Sequence, residues 1–93
     1  MEIEVNKLVW DKANKEHINK HSVAVKEVDE ICFRKVKAKL AKFGRYLVMG
    51  ETKEGRKLTI ILAPKGENSF YVVSARDTSR KERRWIEGEK SKS

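Results

Sequence analysis

The stretch "GRYLVMGETKEGRKLTIILAPKGENSFYVVSAR", residues 44–76, decides how the chain is read. Three apolar runs lie in it, at 44–52, 56–63 and 70–76. "KEG" (53–55) separates the first two and "PKGENS" (64–69) the last two. Short runs rich in Val, Ile, Leu and Tyr, cut by glycine-containing turns, predict strands joined as hairpins. Loops this short admit only antiparallel neighbours. One step upstream, "VKAKLAKF" (36–43) alternates apolar residues with lysines. That period of two predicts a further strand, half exposed, with a basic outer face.

The N-terminal third has a different rhythm. "IEVNKLVW" (3–10) alternates loosely and predicts one short first strand. Asp11 stands where a helix N-cap belongs, ahead of "KANKEHINKH". On that helix Asn14, His17, Ile18 and His21 share a face by 3.6-residue spacing. A second helix is expected over about residues 24–33, with Val25, Val28, Ile31 and Cys32 as its apolar stripe. After the strands, "SRKE" (79–82) reads as a capping box opening a short C-terminal helix, with Ser79 three residues before Glu82. The order of strand, two helices, strand meander and short helix is α+β, with the helices packed on an antiparallel sheet.

Ninety-three residues make a single domain, 1–93, with one modest core and a polar, frayed tail at about 88–93. The net charge is +8, and it is unevenly placed. Residues 1–32 carry five basic and seven acidic side chains; residues 33–93 carry seventeen and seven. Residues 34–50 hold six positive charges and no negative one. Such an excess attracts polyanions. The single cysteine, Cys32, excludes an internal disulfide and suits a reducing, cytoplasmic setting. No apolar run approaches the ~20 residues of a membrane span, and the acidic N-terminus does not read as a secretory signal.

Taken together, "VWDKANKEHINKHSV" (9–23), the glycine-containing hairpin with "GR" (55–56), and the strand ending in "SAR" (74–76) followed by "ER" (82–83) resemble the BrnT family of toxins. The resemblance spans about residues 9–87. It implies a RelE-like α+β fold and a ribonuclease of a type II toxin–antitoxin system that stops translation. It implies as partners RNA, a small ribbon-helix-helix antitoxin of the BrnA kind, and operator DNA reached through the antitoxin. One departure stands out. Relatives carry a tyrosine just after "ER", where this chain has Ile86 beside Trp85.

RNA can be cut without a metal or cofactor when its own 2′-hydroxyl attacks the neighbouring phosphorus. That needs a base, cations on the phosphate and an acid for the leaving oxygen. Arginine suits the cation role because it stays charged and donates in pairs. Arg76 ends a strand, on the side expected to carry Phe70, Val72 and Ser74, and the resemblance places an active-site arginine there. Arg56 matches the family's "GR" and is the second candidate; Arg45 follows an earlier glycine and is a candidate RNA contact. His17 and His21, four apart on one helix face, are candidates for proton transfer or RNA contact; packing is the other reading. Two histidines alone do not make a zinc site. Glu82 reads as the capping-box residue, or as a partner or base beside Arg76. Arg80, Lys81, Arg83 and Arg84 read as contacts to phosphate or antitoxin, and Trp85 as packing or a base-stacking surface. Two rivals remain open: a nucleic-acid-binding module without catalysis, and a toxin of the same fold acting on a protein such as gyrase.

Overall fold

The computed structural model describes residues 1–84. The elements are β1 (Glu2–Val5), β2 (Lys7–Val9), α1 (Lys12–Lys20), α2 (Val25–Cys32), β3 (Arg34–Leu40), β4 (Tyr46–Glu51), β5 (Lys57–Gly66) and β6 (Ser69–Asp77). A third helix, α3, opens at residue 80, and its described part is 80–84. The expectations for Trp85, Ile86 and the tail fall outside the described residues. The fold is α+β, as the sequence predicts.

One six-stranded sheet runs in the order β1-β3-β4-β5-β6-β2. Strands β3 to β6 form the expected antiparallel meander. The first strand departs from expectation. Residues 3–10 form two strands, not one, divided at Asn6. β1 pairs antiparallel with β3 at one edge, and β2 pairs parallel with β6 at the other. In a flat sheet those edges would be about 24 Å apart, five strand spacings. A single residue spans about 7 Å between its neighbours' Cα atoms. The sheet must therefore curl until its edges meet at Asn6. The Asn6 and Lys7 amides both donate to the Asn68 carbonyl, at 2.8 and 3.2 Å, and fix the bend.

Both helix starts follow from local chemistry. The Asp11 side chain accepts from the Asn14 amide at 2.8 Å, and the Asn14 side chain accepts from the Asp11 amide at 2.8 Å. That reciprocal cap satisfies two amides the helix cannot. Ala24 has no side-chain acceptor, so Glu27 reaches back to its amide instead, at 3.0 Å. Ile18 of α1 and Val28, Ile31 and Cys32 of α2 bury against Leu58, Ile60 and Leu62 of β5 and Val72 of β6. Truncating a fully buried Leu such as Leu58 costs about 2–5 kcal/mol. α2 sits so close to β4 that a Cβ on Gly50 would lie 2.6 Å from Ile31 Cγ2. Trp10 packs partly buried on this core. Burial in this apolar shell pushes the Cys32 thiol up to about 12, which keeps it unreactive.

Two strand ends differ from the sequence reading. β3 stops at Leu40 rather than 43, because residues 42–44 form a tight turn. The Arg45 amide donates to the Lys42 carbonyl there, with Phe43 and Gly44 both at positive φ (63° and 69°). β5 runs on through Pro64 to Gly66. The register slips between Pro64 and Gly66, and a proline is tolerated at such a slip because the regular ladder is already broken.

Candidate active site

A bulge in β6 builds the site. Ile61 pairs with Ser74 but Leu62 pairs with Val72, so Val73 is an extra residue. The alternation of β6 therefore reverses at Val73. Phe70, Val72 and Ala75 are buried inward, whereas Ser74 and Arg76 point the other way, opposite Ile61 and Thr59. The expectation that Arg76 shares a side with Phe70 and Val72 is corrected by this bulge; it shares a side with Ser74. Bulges commonly re-aim side chains beside functional sites.

On that outer face, directly paired residues form two rows. One runs Lys39, Leu47, Ile61, Ser74 across β3 to β6. The next runs Met49, Thr59, Arg76. The basic outer face expected of β3 is present, with Lys35, Lys37 and Lys39 exposed at every second position.

Arg76 holds Glu82 through two parallel bonds, Nη1 to Oε1 at 2.7 Å and Nη2 to Oε2 at 2.9 Å. Glu82 also accepts from the Ser79 amide at 2.9 Å and from the Thr59 hydroxyl at 3.0 Å. The Glu82 amide donates back to Ser79 Oγ at 3.2 Å, completing the capping box. Thr59 and Thr78, both buried, close the network underneath at 3.2 Å. Arg76 above all, then the Ser79 and Thr59 bonds, hold the Glu82 carboxyl down at about 2 against the cost of burial. Glu82 is thus a carboxylate at neutral pH, able to accept a proton or orient Arg76 but not to donate. The same pair raises Arg76 above the ordinary arginine value. Glu82 is both the helix cap and the partner of Arg76.

α1 lies against β6, beyond Tyr71, where β2 stops pairing. There His17 Nε2 meets Ser74 Oγ at 3.1 Å. Ser74 and Arg76 stand two residues apart on one strand face, so the strand sets the distance from His17 to the guanidinium. His21 packs edge-on against His17, ring centroids 5.6 Å apart. Both rings are exposed. Among the described residues no three His, Cys, Asp or Glu side chains gather as a metal site.

Arg56 lies at the adjoining end of the sheet in a different setting. Its Nε and Nη2 donate to Asp77 at 2.9 and 3.3 Å. Nη1 donates to the Ser22 carbonyl at 2.7 Å and to Glu27 at 3.0 and 3.2 Å, and Nη2 to the His21 carbonyl at 3.4 Å. All five guanidinium N–H groups are engaged. These bonds raise Arg56, Asp77 first among the causes, and Arg56 in turn holds Asp77 below the usual carboxylate range.

The remaining candidates are not drawn together. Arg45 precedes β4, four residues before Met49 in the Arg76 row, about 13 Å along the strand. Its guanidinium instead lies 5.8 Å over the Phe43 ring. Arg80, Lys81, Arg83 and Arg84 are exposed around α3. Sequence reading passed over Thr59 and Thr78 under Glu82, and Glu27 and Asp77 around Arg56. Thr59 carried a usable signal, the single polar residue inside the apolar run "LTIILA" (58–63).

No protein-family model matches the chain, and no curated protein does. Among solved structures, the chain is similar to the Brucella abortus ribonuclease toxin BrnT, with a TM-score of 0.63 over 80% of this chain and 97% of that one, at 23% identity. The curled sheet packed with helices is thus similar in fold to the Brucella toxin.

Proposed function

We propose that this protein is a metal-independent endoribonuclease toxin of a type II toxin–antitoxin system, cutting messenger RNA and so stopping translation. The observation that carries the reading is the placement of His17, Ser74, Arg76 and Glu82 on one face of β6, by way of the Val73 bulge. The likeness in fold to a ribonuclease toxin supports it.

In this reading an RNA phosphate competes with Glu82 for Arg76. The guanidinium then carries the charge that develops on the phosphorane oxygens. The 2′-oxygen forms a bond to phosphorus, the bond to the 5′-oxygen breaks, and a 2′,3′-cyclic phosphate results. The proton leaving the 2′-hydroxyl goes to His17 or to the displaced Glu82 carboxylate, and the 5′-oxygen takes a proton from a protonated imidazole, His17 or His21. Exposed Arg80, Lys81, Arg83 and Arg84 hold flanking phosphates. Arg56 could grip phosphate only by giving up bonds to three segments, so its part is to fix the α1–α2 loop, and His21 with it, against β6. A ribbon-helix-helix antitoxin covers the site and carries the complex to operator DNA.

Inducing the chain and its Arg76→Ala form in bacteria tests this. Growth arrest with fragmented RNA from the parent alone is the expected result. Arrest with intact RNA would move the target to a protein such as gyrase. Salt-dependent RNA binding with no cleavage at any protein concentration would leave a binding module.

A further inference from the structure

Phe43 sits at the tip of the β3–β4 hairpin and is 88% exposed, the most of any large apolar side chain among the described residues. Its backbone is left-handed, φ 63° and ψ 30°. Among the described residues the other non-glycine positions at positive φ are Ser22 and Asn68, and asparagine is found there more readily than phenylalanine. A phenylalanine in this conformation is strained, and a ring so exposed returns almost nothing to the core. Strain that the fold does not need is a pointer to function.

The surroundings say what the ring would meet. Arg45 lies 5.8 Å over it. Lys42 is beside it in the turn and Lys39 is exposed on the strand leading in. No acidic residue occurs between 34 and 50. Glu2 and Glu4 of β1 stand opposite Lys37 and Lys35, but that pairing stops short of Lys39. An aromatic face among cations is the arrangement that stacks an unpaired base while holding its phosphates. A protruding turn presents no groove or sheet edge in which a docking peptide segment could lie. Lys39 also begins the row that crosses Leu47 and Ile61 to Ser74, so the strand leading into the tip presents Lys39 on the sheet face of Ser74 and Arg76.

We infer that the Phe43 tip is a base-stacking contact for single-stranded RNA, holding the strand a few nucleotides from Arg76. The inference rests on the ribonuclease reading and adds a second contact to it.

Fluorescence anisotropy with a 2′-O-methylated, uncleavable RNA of mixed sequence, about ten nucleotides long, tests it on the full chain. The parent and Phe43→Trp should bind alike. Phe43→Ala and Phe43→Asn should bind about tenfold more weakly. Phe43→Asn should also melt at a higher temperature than the parent, because asparagine tolerates the left-handed backbone. Equal binding by all four proteins would overturn the tip contact and leave the ribonuclease reading standing. No binding by the parent would overturn both. A Phe43→Asn protein less stable than the parent would overturn it by making the ring part of the fold. Unchanged RNA affinity with loss of a co-expressed antitoxin would overturn it in favour of a protein contact.

Discussion

Arg56 and Arg76 stand at neighbouring strand ends, and each is paired with a carboxylate, yet their settings differ. Arg56 joins Asp77 of β6, Glu27 of α2 and two carbonyls of the loop between the helices. Arg76 bonds to Glu82, one side chain on α3, with a single further bond to the Asp77 carbonyl at 3.3 Å. A phosphate can take the place of one carboxylate. It cannot replace four partners on three segments without loosening the fold. Ion pairing alone therefore does not separate an arginine that could release its partner from one that holds the fold; the number of elements that depend on it does.

The contrast breaks most visibly in cleavage. Arg76→Ala should lower RNA cleavage about 10²–10³-fold, with a smaller loss of stability than Arg56→Ala gives. Arg76→Lys should not restore it, since a point charge cannot replace the paired donors. Equal loss of stability would place Arg76 with Arg56 as a structural residue. His17→Ala should cost about 100-fold in single-turnover cleavage and flatten the pH–rate profile on the limb it controls. An unaltered profile would remove His17 from proton transfer.

Stability should report the opposite ranking. Arg56→Ala should cost about 1–2 kcal/mol in urea unfolding and reduce cleavage only as far as the folded fraction falls. A large loss of cleavage in fully folded Arg56→Ala protein would return it to the phosphate.

The smallest effect separates the pairs by pH. Glu82 sits at about 2 in the folded chain, below its ordinary value of 4.5. The unfolded chain therefore binds the proton more readily as pH falls. The stability from this pair is present above about pH 4.5 and is lost toward pH 2. Glu82→Gln should remove that share of the acid sensitivity, read as a shallower fall in melting temperature than the parent's across the same window.

Much of the fold was legible because it rests on local periodicity. The meander showed in short apolar runs cut at Gly55 and around Gly66, and α1 in Asp11 ahead of its helix. The split first strand was not legible. "IEVNKLVW" alternates the same way whether it pairs with one neighbour or two, and only the curl of the sheet brings β3 and β6 to its two halves. Arg76 and Glu82 were both readable as candidates, but not as partners.

By itself the sequence determined the α+β class, the helix caps, the basic bias of residues 34–50 and the residue types available for phosphate chemistry. These depend on neighbours along the chain and on composition. Tertiary structure alone decided which arginine is locked and which is replaceable, that Val73 is an extra residue turning Ser74 and Arg76 outward, and that His17 meets them. Register, bulges and contacts across 57 residues of chain are set by the packing of the whole sheet, and no local pattern encodes them.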